Sequence, residues 1–142
     1  MEYLPAYNRI LKEGGIIALS TSANNNPNVR IVNYCFDENN PSVLYFSTSS
    51  DSNKIAELTG NEKTAFTTIP TSHDDTPHVR SHNAFVRKSD LSLNDVKDMF
   101  LKQTPDLAEM FEAVGNFLDI YEIHVKEADV VVSMEDAGII IF

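Results

Sequence analysis

Arg30 stands in the run Val29 to Phe36, whose β-branched and aromatic residues read as a strand. Alternation puts Arg30, Val32, Tyr34 and Phe36 on one side and Val29, Ile31, Asn33 and Cys35 on the other. A guanidinium on an apolar side either keeps its head in water at the strand end or pairs with an anion that offsets its burial. A second group lies in Thr48-Ser49-Ser50-Asp51-Ser52-Asn53-Lys54, between a strand and a short helix. Backbone N–H groups at a helix start, with hydroxyls and a lysine close by, suit a phosphate. The same residue types also make an N-cap loop that needs no ligand.

His73, Asp74, Asp75, His78 and His82 have the donor types of a zinc or iron site. Their spacing is not that of a tight ligand set, and a strand over His78 to Val86 puts Arg80 between the two histidines on one face. A turn is the simpler reading of His-Asp-Asp-Thr-Pro, and no metal is expected. Cys35 is the single cysteine; set between Tyr34 and Phe36, it reads as a small buried hydrophobe and not as a nucleophile. No Gly-x-Gly-x-x-Gly, Walker loop, His-Glu-x-x-His, Cys-x-x-Cys or Gly-x-Ser-x-Gly occurs, which removes the usual warrants for nucleotide, zinc or serine chemistry.

The elements that must position these groups form one domain over residues 1–142, the size of a single core. Ala6 to Glu13 has Tyr7, Ile10 and Leu11 at helical spacing and runs into Gly14-Gly15. Strands follow at Ile16 to Ser20, Val29 to Phe36 and Val43 to Ser47, separated by the turn clusters Asn24-Asn25-Asn26-Pro27 and Asn39-Asn40-Pro41. A short helix is expected over Lys54 to Leu58, and strands at Lys63 to Ile69 and His78 to Val86. Between Ser92 and Val114 the apolar residues recur at three and four, giving two helices joined at Gln103-Thr104; Met99, Phe100, Met110 and Phe111 are their packing side. Strand character returns at Phe117 to Val125, Val130 to Ser133 and Gly138 to Phe142. This order predicts a mainly β chain with flanking helices whose antiparallel sheet closes into a barrel, since open edges this apolar would aggregate.

Hydrophobic residues make up 42% of the chain, and no apolar run approaches the span of a membrane helix. The start Met1-Glu2-Tyr3-Leu4-Pro5 does not read as a secretory signal, so a cytoplasmic location without membrane contact is expected. The net charge of -10 and the scatter of only 11 Lys and Arg argue against a nucleic-acid partner.

Taken together, Arg30-Ile31-Val32, the extended Tyr45-Phe46-Ser47-Thr48, Ser52-Asn53-Lys54 before a short helix, and His78-Val79-Arg80 resemble the FMN-binding split-barrel family of pyridoxamine 5'-phosphate oxidase and its relatives. The likeness covers most of residues 5–87. It implies a Greek-key-like split β-barrel and a homodimer with two FMN sites in the dimer cleft. It further implies that Arg30 and Lys54 hold the phosphate, with Ser52 and Thr48 as hydroxyl donors beside Asn53. Ile31 and Val32 would offer backbone groups to the isoalloxazine edge, with Ser47 beside it and His78-Val79 reaching it from the other protomer. Several positions depart from the oxidases: Asn53 replaces a basic residue, Cys35 a lysine and Asn83 a glycine, and the C-terminal Arg-x-His is absent. The expectation is therefore an oxidoreductase acting on a different small molecule, or a flavin-binding or sensing protein without turnover; haem or a deazaflavin is the alternative cofactor.

Overall fold

The structure, a computed structural model, describes residues 1–50, 62–70 and 77–142. Helix α1, Leu4–Glu13, turns Tyr7, Ile10 and Leu11 inward. Strands β1, Ile16–Ala23, and β2, Asn26–Phe36, form a hairpin. Its turn residues Asn24 and Asn25 both have positive φ, 54° and 65°, the conformation that a two-residue hairpin needs and that asparagine tolerates. Strands β3, Val43–Ser49, β4, Lys63–Thr68, and β5, His78–Lys88, follow. Helix α2, Leu93–Gln103, begins at a capping box in which the Asp95 carboxylate accepts bonds from Ser92 N–H and Oγ at 2.8 and 3.0 Å. A single 3-10 turn at Pro105–Leu107 leads into α3, Ala108–Val114. Strands β6, Leu118–Val131, and β7, Ala137–Ile141, end the chain.

All seven strands join one antiparallel sheet in the order β3-β2-β1-β4-β5-β6-β7, and pairing of β3 with β6 closes the first six into a barrel. The fold is thus the expected mainly β split barrel with flanking helices. One expected boundary is corrected: Phe117 to Val125 and Val130 to Ser133 are a single strand, β6. Between those segments Lys126 is exposed and Glu127 and Asp129 are half-buried, while Ala128 is buried and keeps the strand on the core.

Two apolar clusters follow from strand alternation. Inside the barrel, Leu19, Val32, Tyr34, Phe46, Val79 and Ile123 pack together and α1 plugs one end with Tyr7 and Leu11. The two fully buried phenols are satisfied: Tyr7 donates to Pro41 O at 2.8 Å and Tyr34 to Leu11 O at 2.5 Å. Outside the barrel, α2 and α3 cover part of the sheet with Val96, Phe100, Leu107 and Phe111 against Cys35 and Ile120. The Phe100 and Phe111 rings meet edge to face, with centroids 5.5 Å apart.

The helices are tied to the plug by Gln103. The two N–H groups of its side-chain amide are shared among Leu11 O, Lys12 O and Gly14 O, at 2.9, 3.0 and 2.5 Å from Nε2, covering carbonyls at and just past the end of α1. Gln103→Ala is expected to lower stability by about 1–3 kcal/mol, the cost of stranding part-buried acceptors, as measured by urea denaturation; an unchanged midpoint would show that water replaces the amide fully.

Candidate functional site

Strand β2 is the backbone of the candidate site, because it parts from one neighbour half-way. It pairs with β1 along Asn26 to Asn33 but with β3 only at Tyr34–Phe36. From Phe46 onward β3 follows β6 instead, through Ser47↔Ile120, Thr48↔Asp119 and Ser49↔Leu118. Among the described residues, no strand pairs with the outer edge of β2 before Tyr34. Since Tyr34 N–H donates across to Gly15 O, at 3.0 Å, strand alternation turns the N–H and C=O of Ile31 and Asn33 toward that open edge and those of Val32 toward β1.

The predicted residues distribute around this split as follows. Arg30 continues the inward side defined by Val32 and Tyr34; it is half-buried, its Nε is shielded from solvent, and the residue is engaged in an interaction within the chain. Thr48 is buried on the inward side of β3, two residues past Phe46, so Arg30 and Thr48 share the barrel interior at the end where β2 and β3 separate. Ser47 faces the other way, half-buried on the same side as Tyr45 and Ile120. Ile31 points outward and is 59% exposed, whereas the Val32 side chain belongs to the core. Ser52, Asn53 and Lys54 lie outside the described residues, as do His73, Asp74 and Asp75. No cluster of three or more His, Cys, Asp or Glu that could hold a metal occurs among the described residues.

His78 and Val79 are placed elsewhere. β5 stands three strands from β2 in the sheet order β2-β1-β4-β5, on the opposite side of the closed barrel. His78 faces outward and half-exposed, while Val79 is fully buried and its N–H donates to Thr68 Oγ1 at 3.0 Å. One chain therefore brings Arg30, Ile31, Val32, Ser47 and Thr48 together and leaves the β5 pair apart.

Sequence reasoning did not find the outer face between these two places. Helices cover the sheet over β3 and β6, but among the described residues nothing covers β1, β4 and the first half of β2. Ala18 and Ser20 on β1 lie beside Thr67 and Ala65 on β4, with Val29 on one flank and Arg80, His82 and Asp129 on the other, around a trough of about 510 Å³. Small residues at alternate positions of Ile16–Ala23 and Lys63–Thr68 were the available signal. The residues Ile16, Val29 and Ile31 beside the trough are 40, 65 and 59% exposed.

A family model described as pyridoxamine 5'-phosphate oxidase-like matches residues 3–137. Comparison with curated proteins finds no match. Among solved structures, a haem-binding protein from Mycobacterium smegmatis superposes with TM-score 0.76 at 10% identity over 97% of this chain; the chain spans 57% of that protein's length. A NimC/NimA family protein from Clostridium acetobutylicum gives TM-score 0.70 at 19% identity, over 99% of this chain and 94% of the other. A FAD-binding protein from Mesorhizobium loti gives 0.65 at 13% identity, over 93% and 88%. At these identities the likeness is one of fold. No helix among the described residues is long and apolar enough to cross a membrane.

Cys35, where the resembled oxidases carry a lysine, is fully buried beneath α2, and burial pushes its thiol well above the ordinary cysteine range. The thiolate is the reactive form, so at pH 8 a thiol reagent such as dithionitrobenzoate is expected to leave the folded protein untouched and to titrate one thiol on adding guanidinium. Rapid modification of the folded protein would contradict this burial.

Proposed function

The chain belongs to the pyridoxamine 5'-phosphate oxidase-like family, and from that premise we propose that it binds flavin mononucleotide along the open edge of β2 and serves in redox chemistry on a small organic molecule. The observation that carries this reading is the split itself. Backbone donors and acceptors of Ile31 and Asn33 face a place that no described strand takes, with a guanidinium and a hydroxyl at its inner end. The edge of an isoalloxazine alternates acceptors with a donor, which is the pattern such a strand edge can meet. A phosphate dianion requires cations, and in a chain of net charge -10 they are few.

In this reading Arg30 and Lys54 hold the phosphate, with Thr48 and Ser52 as hydroxyl donors and Asn53 beside them. Ile31 holds the ring edge by its backbone, Val32 keeps that stretch in register with β1, and Ser47 stands at the neighbouring strand. Bound flavin supplies one- and two-electron transfer, and the chain supplies binding, orientation and shielding from water. His78, three strands away, reaches the same group only from a second copy, so the reading includes a homodimer. The bare apolar flank of Ile16, Val29 and Ile31 is the surface that supports it, since exposed contiguous apolar residues mark interaction sites. A haem is the second reading, favoured by the likeness to the mycobacterial haem-binding protein; the visible spectrum of the purified protein separates flavin bands from a Soret band.

Arg30→Ala combined with Lys54→Ala is expected to weaken FMN binding about a hundredfold or more, from two lost charge-assisted contacts, while riboflavin binding changes little. Equal losses for both ligands, read by fluorescence quenching, would remove these residues from the phosphate. For the homodimer, sedimentation of the wild type is expected to give twice the chain mass, and Ile31→Glu to give monomer. A wild-type monomer that still holds FMN would contradict the two-copy site.

A further inference from the structure

Helices α1 and α2, tied together by Gln103, leave a cavity between themselves and the turn that follows β2, and we propose that it binds a zwitterion, an α-amino acid with an apolar side chain. The cavity is about 430 Å³, within the range of small-molecule pockets, about 300–1,000 Å³. Lys12 of α1, Met99, Lys102 and Gln103 of α2, and Phe36 to Asn39 form its walls. It stands at the end of β2 that pairs with β3 and that α1 plugs through Tyr7 and Leu11, whereas Arg30 and Thr48 lie where these strands part. None of its residues belongs to the open edge of β2, to the flank of Ile16, Val29 and Ile31, or to β5. It is therefore separate from the surfaces that the proposed function assigns to the flavin and to the second copy.

The charges of the ligand follow from which groups already have partners. Lys12 and Glu38 meet each other, Nζ to Oε1 at 3.2 Å, and cancel. Two charges remain. Lys102 has no hydrogen bond or ion pair among the described residues, and Asp37 uses only Oδ1, which accepts from Asn39 N–H at 2.9 Å. The cation belongs to the helical wall and the anion to the turn, so a ligand that meets both carries one charge of each sign. Gln103 adds a neutral acceptor: its N–H groups are taken by the carbonyls of Leu11, Lys12 and Gly14, which leaves Oε1 as the polar atom it can offer. An ammonium, with three donors, can use that oxygen together with Asp37 Oδ2.

The apolar part is assigned by Phe36 and Met99. Phe36 is buried and Met99 half-buried, and both line the same cavity. An aliphatic side chain laid on a ring and a thioether leaves water, and the unbranched, polarizable methionine adapts to more than one side-chain shape. This combination separates the site from one for an inorganic ion, which needs no apolar contact, and from one for a sugar, which needs no unpaired charge. The lysines and carboxylates at the rim are exposed, so each ionic contact has the modest strength of a solvated pair. Selectivity then comes from meeting three requirements at once: a carboxylate, an ammonium and an apolar side chain.

Leucine, isopentylamine, isocaproate and glycine, titrated into the purified protein and followed by amide chemical shifts, test the carboxylate, the ammonium and the side chain separately. Leucine is expected to saturate and to shift amides of residues 36–39 and 99–103, with each of the other three weaker by about tenfold, the scale of one charge-assisted contact or of a partly buried aliphatic side chain. Lys102→Met should bring leucine down to the level of isopentylamine and leave the amine unchanged, while Lys102→Arg keeps leucine binding. Asp37→Asn should bring leucine down to the level of isocaproate and leave isocaproate unchanged. Both positions are exposed, and the amide oxygen of Asp37→Asn still accepts from Asn39 N–H, so the variants are expected to fold. Failure of leucine to saturate, an affinity no greater than that of the amine or of isocaproate, or indifference to both charge changes would overturn the proposal. Neither result bears on the FMN reading, whose own test is the phosphate-dependent loss at Arg30 and Lys54.

Discussion

The architecture depends on how β6 uses its two edges. Along one edge it pairs with β5 from Tyr121 to Val131; along the other it takes β3 from Leu118 to His124 and β7 from Glu127 to Val131. A strand of 14 residues is needed for both, and closure of the barrel comes from the first half of that second edge. The pairing of β3 with β6 runs over seven residue pairs, Val43 to Ser49, while β3 keeps β2 over only three. Closing the barrel on one side therefore opens it on the other. The backbone groups of Ile31 and Asn33 at the gap must be met by water or by a ligand, because a buried amide left unmet costs about 1–3 kcal/mol. The candidate site is in this sense a consequence of barrel closure.

Much of this was legible from local pattern, and the limits are instructive. The Asn24-Asn25 turn, the alternation of Val29 to Phe36 and the two helices meeting at Gln103-Thr104 all show in the residues, since each depends on neighbours within one or two turns of chain. Alternation also assigned Arg30 to the side of Val32 and Tyr34 correctly. What alternation does not carry is register between distant strands. Phe46 faces Tyr121, a partner 75 positions later, and nothing in Val43 to Ser49 reveals that β3 will leave β2. The different backbone directions of Ile31 and Val32 have the same origin, since they depend on which residue of β2 faces Gly15. The break expected within β6 arose because charged residues at Lys126, Glu127 and Asp129 resemble a loop until the buried Ala128 between them is seen.

Side parity and burial are also separate facts. Ile31 and Cys35 lie on the same side of β2, four residues apart, yet Ile31 is 59% exposed and Cys35 is fully buried. The difference is the layer formed by α2 and α3, which begins over the second half of the strand. Sequence alone placed both residues on the face opposite Val32 and Tyr34 and could not say where the helices stop. Phe100 and Phe111 mark that boundary: their rings fill the space over Cys35 and Ile120 and extend no further across the sheet.

The chemistry of this part of the sheet fits the observation that, among the described residues, no helix packs there. A helix on a sheet is held by large side chains that interlock at close-packed density, and beneath α2 the sheet provides them in Tyr45, Ile120 and Leu118. Over β1 and β4 the outward positions are Ala18, Ser20, Ala65 and Thr67, which would leave a gap beneath any helix and forfeit the dispersion contacts that hold it. Enlarging those residues would make a better helix seat and destroy the trough. The two uses of the outer face are thus exclusive at the level of single side chains: large residues lie beneath α2, and a block of small ones lies on β1 and β4, flanked by Val29 and Ile31.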